Sequence, residues 1–274
     1  MFFTIVVILI TLFSFSYHEF GHAIAFRHCK VAVEEISLLG FKVKNLFLTL
    51  PIKWDLFPGT KWIITPLFLG AYVRPEEAWD KCTKKDALYI AGMGPLMSIQ
   101  YGLFWLAVTQ AILAIGDAQG ELLTHLPHIL LQAGIWLVVL WAIWRLRYLL
   151  CVYVLLPLGC AITFIVLAAI IKTGIEAVGV SDLVREVHAT GGALVTEPLF
   201  EQVAEAIRQG ATYAIAFGLI NLLVISPLDG GHMLTQVLPQ RALKTHMVIG
   251  LVLIVVLFAL QIGRDAYNLF RTFF

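Results

Sequence analysis

The chain has 274 residues, of which 60% are hydrophobic and 14% charged, and its mean hydropathy is +0.88. Such an apolar excess rules out an ordinary soluble domain and reads as an all-α polytopic membrane protein embedded in a lipid bilayer. A net charge of +1 without a basic block leaves no footprint for nucleic acid, and four cysteines without a CxxC pair give neither a disulfide scaffold nor a cysteine metal site.

Hydropathy and charge divide the chain into about six transmembrane helices, with a membrane-associated β-hairpin after the first. Residues 2 to 26 form the first span. The start Met1-Phe2-Phe3 has no basic flank and no small-residue cleavage site, so this run reads as a span and not as a signal peptide. Within it lies His18-Glu19-Phe20-Gly21-His22, an HExxH pattern. On a helix, residues four apart share a face, so His18 and His22 can hold one metal ion while Glu19 takes a proton from water beside it. At about 1.5 Å per residue the motif lies near the far end of its span, just before Arg27, His28 and Lys30.

Residues 31–87, counted with Arg27 and Lys30, carry ten Lys/Arg and are broken by Pro51, Pro58, Pro66 and Pro75, which marks the cytosolic-side loop. Two stretches in it, Phe41–Leu50 and Lys61–Val73, are rich in β-branched and aromatic residues and read as strands. They form either a re-entrant or interfacial hairpin beside the membrane site or an ordinary surface hairpin.

Residues 88–115 are the second span, opened by Gly92-Met93-Gly94-Pro95, whose small residues allow close helix packing. The connection 116–128 lacks Lys and Arg and reads as outer. Spans 129–144 and 148–171 follow as a hairpin, with an inner turn at Arg145-Leu146-Arg147. Residues 172–210 form an outer segment containing an amphipathic surface helix, Pro198–Arg208.

Span 211–237 carries Asn221 and Leu228-Asp229-Gly230-Gly231-His232, and span 248–262 follows. An intramembrane carboxylate is costly without a partner and is a functional candidate. Six spans put both termini outside, and they bring Asp229 to the depth of His18 and His22. His18, His22 and Asp229 are therefore the candidate ligands of one metal, zinc by preference, with Glu19 as catalytic base. Asn221 either orients a substrate or bonds within the bundle, and His232 either supports a ligand or ends its helix as a polar residue. The chemistry expected is hydrolysis of a peptide bond. A non-catalytic zinc-binding membrane protein or transporter uses the same residues as a transit site and is the alternative.

The motif His18–His22 in a first span, Gly70-Ala71-Tyr72-Val73, Gly94-Pro95-Leu96, and Asn221 with Leu228–His232 resemble the site-2 protease family of intramembrane zinc metalloproteases. The bacterial branch acting in regulated intramembrane proteolysis is the nearest in pattern. The resemblance implies zinc on His18, His22 and Asp229, Glu19 as base, and substrate contacts at Asn221, Gly70 and Tyr72. It further implies single-span substrates, such as anti-sigma-factor-like regulators or remnant signal peptides, and a multi-pass protein of the inner or plasma membrane with its active site towards the cytosol. The chain departs from that pattern in having Val224 and Ser226 where prolines are common, Ala71 where a second glycine is usual, and no PDZ domain.

Overall fold

The computed structural model describes residues 2–38, 40, 47–64, 71–76, 82–117, 122–173, 199–239, 241–253 and 255. Its helices are α1 (Phe2–His28), α2 (Lys84–Asp117), α3 (Leu122–Leu149), α4 (Leu155–Thr173), α5 (Leu199–Asn221), α6 (Asp229–Thr235) and α7 (residues 241–253). Four short strands lie between α1 and α2: β1 (Val33–Ser37), β2 (Leu48–Leu50), β3 (Lys61–Ile64) and β4 (Tyr72–Pro75).

Three of the described helical stretches, Phe3–His28, Lys84–Gly116 and His125–Ala168, are long and apolar enough to cross a membrane. Their large apolar side chains point outward as much as inward. Ile5, Ile8, Leu9 and Phe13 of α1 and Leu130, Leu131, Leu137 and Trp141 of α3 are exposed, whereas Ser14, His18 and His22 of α1 are buried. A bilayer inverts the usual economy in this way: apolar chains meet lipid and the polar ones need protein partners.

α2 is the central element, packed on both α1 and α5. Pro95 lies inside it, and Met93, Leu96 and Met97 join Phe26, Tyr89 and Leu222 in the main core.

The expected turn at Arg145–Arg147 is not a turn. Both arginines lie inside α3, which passes through one π turn (Leu150–Val154) directly into α4. Nothing in Arg-Leu-Arg breaks a helix, since all three are good helix formers. Charge marks the depth of these residues and not a reversal of the chain. Arg147 Nε donates to the Tyr89 hydroxyl at 3.1 Å, and its guanidinium lies 4.3 Å from the Trp144 ring. Arg147 is thus level with the Lys84 end of α2, and the residues expected as spans 129–144 and 148–171 belong to one continuous helical stretch.

The amphipathic run expected as a separate surface helix is the first half of α5. No breaker separates it from the apolar second half, so one helix runs from Leu199 to Asn221 and stops there. The helix in the expected fifth span therefore ends sixteen residues before the expected boundary at 237. Of the expected sixth span, residues 248–253 and 255 are helical, and the remainder lies outside the described residues.

The strand region is a sheet of order β2-β3-β1-β4. β2 and β3 form the expected antiparallel hairpin, with Leu48 opposite Ile64 and Leu50 opposite Trp62. The stretch Lys61–Val73, however, is two strands: β3 pairs parallel to β1, and β4 pairs antiparallel to β1. β1 itself escapes a hydropathy reading because two glutamates interrupt it. Glu35 is nevertheless buried, at 1% exposure, and takes a hydrogen bond from the Tyr72 hydroxyl at 2.5 Å.

Candidate metal centre

His18 and His22 are one helical turn apart on α1, and both are buried. Their Nε2 atoms stand 3.3 Å from each other. Asp229, 211 positions beyond His18 in sequence, reaches both: Oδ2 lies 2.8 Å from His18 Nε2 and Oδ1 lies 3.4 Å from His22 Nε2. Two donors on a tetrahedral zinc with bonds of about 2.0–2.1 Å stand about 3.3–3.4 Å apart, so the two imidazole nitrogens, and Asp229 Oδ1 with His22, already have the required separation. His18, Glu19 and His22 also place one ligand atom each within 4.8 Å of one another.

The opposite edge of each imidazole is fixed by α2. His22 Nδ1 donates to the Ile90 carbonyl at 2.7 Å, and His18 Nδ1 lies 3.0 Å from Ser98 Oγ. A proton held on Nδ1 by the Ile90 carbonyl leaves the Nε2 lone pair of His22 facing Asp229, the tautomer that a metal requires. Between these two anchors sits Gly94. A Cβ there would fall 2.7 Å from His18 Nε2, 2.6 Å from His22 Cε1 and closer still to His22 Nε2. The missing side chain keeps open the space where the donors converge. Nitrogen and carboxylate donors, the spacing and this cleared volume together fit a zinc ion.

Ile90, Gly94 and Ser98 recur every four residues and so form one face of α2. Sequence reasoning assigned Gly94 to helix packing alone and passed over Ile90 and Ser98. The four-residue interval running from Gly94 was the available signal.

Asp229 reaches the histidines because the chain leaves the helix after Asn221 and resumes at Asp229, the first residue of α6. The intervening loop folds back tightly on α6: a Cβ on Gly230 would meet the carbonyls of Leu222 and Leu223. The glycine pair thus serves the close approach of this loop to α6. His232 is exposed on the same short helix.

Glu19 lies beside the cluster and near the Val73 backbone amide of β4, an edge strand packed on α1. Asn221 is buried at the end of α5 and donates through Nδ2 to the Phe217 carbonyl at 3.1 Å, inside its own helix. Tyr72 stands next to Val73 on β4 with its hydroxyl turned to Glu35; burial first, and then that carboxylate, raises its pKa above the ordinary phenol range. Gly70 lies outside the described residues.

The family model of peptidase family M50 matches residues 3–260. The chain belongs to this family. It is a membrane metallopeptidase by that membership, and M50 peptidases depend on zinc, in keeping with the donors at the α1–α2–α6 junction. No curated protein and no solved structure matches the chain.

Proposed function

We propose that this M50 peptidase is an intramembrane zinc metalloprotease that hydrolyses peptide bonds in or near the transmembrane helices of single-span proteins, with Glu19 as general base. The observation that carries the reading is the convergence of His18, His22 and Asp229 beside Glu19, inside helices whose outer faces are apolar. A zinc ion held by the three donors would supply a Lewis acid that brings the pKa of water down to near 7.

The chain's own groups do the rest. Ser98 and the Ile90 carbonyl hold the imidazoles in register. Glu19, beside the Val73 amide, takes a proton from the attacking water and returns it to the leaving amine. A scissile peptide in a helix has its carbonyl engaged in the i to i+4 ladder and must first unwind. β4 pairs with β1 on one side and turns towards Glu19, so an extended segment laid along it by β-augmentation comes within reach of that base. Gly70, Tyr72 and Asn221 are the substrate contacts in this reading.

The basic residues at the end of α1, the start of α2 and Arg145 and Arg147 in α3 support an orientation with the site towards the cytosol, in an inner or plasma membrane. Regulators resembling anti-sigma factors and remnant signal peptides are the substrate classes that the family resemblance suggests.

The test is reconstitution of the parent, Glu19→Gln and Asp229→Ala with a panel of single-span substrates, measuring both cleavage and bound zinc. Glu19→Gln is expected to keep zinc and lose cleavage, and Asp229→Ala to lose both. Cleavage by Glu19→Gln at the parent's rate refutes the mechanism. Zinc flux across the membrane that survives Glu19→Gln, with no cleavage by the parent, favours a transporter instead.

A further inference from the structure

We infer that Thr163 of α4 is a positioning residue for Asp229. Asp229 is held at the end of a seven-residue loop, 222–228, that has left the helical ladder, so each buried backbone group there needs another partner. Three of its amides find one locally. Leu222 N–H donates to Leu219 at 3.1 Å, Leu223 N–H to Ile220 at 3.0 Å and Leu228 N–H to Ile225 at 2.9 Å.

The Val224 amide instead leaves the loop and donates to Thr163 Oγ1 at 2.9 Å. Thr163 is buried, and its hydroxyl proton goes to the Gly159 carbonyl at 2.8 Å, so the oxygen's lone pairs face Val224. One turn before Thr163, Gly159 lets the Leu222 carbonyl approach so closely that a Cβ at 159 would collide with it. α4 thus grips the loop at Leu222 and Val224, while Gly230 of α6 abuts it at Leu222 and Leu223. The loop is clamped at its first three residues, and Gly231 and Gly250 abut it next at Ile225 and Ser226, so little of it is free before Asp229.

α4 contributes no donor to the metal centre, yet it fixes the backbone from which Asp229 projects. This gives a purpose to a helix that carries none of the motif residues. The inference rests on the reading of Asp229 as a metal ligand and names what holds that ligand in place.

Zinc affinity, by competition with a chromophoric chelator, and the visible spectrum of the cobalt-loaded protein are measured on the full chain as parent, Thr163→Val, Thr163→Ser and Asp229→Ala. Valine keeps the volume and removes the acceptor; serine keeps the acceptor. Thr163→Val is expected to weaken zinc about tenfold and alter the cobalt spectrum, with Thr163→Ser restoring both. Parent affinity and spectrum in Thr163→Val overturn this inference and leave the metal reading standing, whereas parent affinity in Asp229→Ala overturns the metal reading itself. Should Thr163→Val not fold, hydrogen exchange of the zinc-loaded parent decides: a slowly exchanging Val224 amide supports the clamp, and one as fast as an open loop amide refutes it.

Discussion

Replacing Gly94 by Ala is expected to abolish zinc binding while leaving the helices in place. The added methyl would lie 2.6 Å from His22 Cε1, 2.7 Å from His18 Nε2 and closer still to His22 Nε2, against an ordinary carbon contact of about 3.5 Å, so something must move by more than about 0.9 Å. The rings cannot swing aside cheaply, since His22 Nδ1 is bonded to the Ile90 carbonyl at 2.7 Å and His18 Nδ1 lies 3.0 Å from Ser98 Oγ. α2 must then retreat from α1, carrying those anchors with it. Metal–ligand distances tolerate only about 0.2 Å, so a shift of that size takes at least one donor out of range. Overpacking of this kind costs about 1–3 kcal/mol of stability, less than a membrane bundle of this size needs to unfold. Zinc affinity is expected to fall at least about 100-fold, and cleavage with it. Metal content per purified chain, chelator competition and circular dichroism measure the three quantities. A Gly94→Ala protein with parent zinc affinity and parent helicity would show that α2 does not abut the histidines, and the reasoning would fall.

Ser98→Ala removes the hydroxyl beside His18 Nδ1 and is expected to weaken zinc by about 10–100-fold, read by the same chelator competition; unchanged affinity would mean that Ser98 does not orient the ring. Val73→Pro deletes the amide that reaches Glu19, at an edge strand where proline is tolerated. It is expected to leave zinc content unchanged and slow cleavage about tenfold or more, and equal rates in Val73→Pro and the parent would detach β4 from the chemistry.

The parts of the site legible in the sequence are those whose logic is local. His18 and His22 are visible as a pair because the helical period puts them on one face, and Asp229 is visible because an acid in an apolar span demands a partner. Both statements need only a few consecutive residues. The structure brings them together by another route than an opposed span: Asp229 arrives on the short helix α6, after the chain has left α5 at Asn221. What stayed hidden depends on contacts between distant elements. The pairing of β1 with β3 and β4 is masked by Glu34 and Glu35, and a buried glutamate is acceptable only because Tyr72, 37 residues away, donates to it. The arginines of α3 show the same limit from the other side. Their charge reports the level at which they sit, but whether the chain turns there is decided by Tyr89 and Trp144, which give Arg147 partners without a loop.

α2 illustrates why a ligand list alone describes such a site poorly. It supplies no metal donor, yet Ile90, Gly94 and Ser98 set the tautomer of one imidazole, the space before both and the orientation of the other. In water a misoriented histidine can recover hydrogen bonds from solvent. Among apolar helices it cannot, so each ring nitrogen must be matched by a protein atom or a metal. The same scarcity explains the loop before Asp229, whose Val224 amide reaches across to Thr163. A hydrolytic centre in this setting is therefore specified as much by the residues that satisfy its backbone and its second ring nitrogens as by the HExxH and the aspartate. Sequences that keep His18, Glu19, His22 and Asp229 but place a side chain at position 94 are expected to have lost the metal.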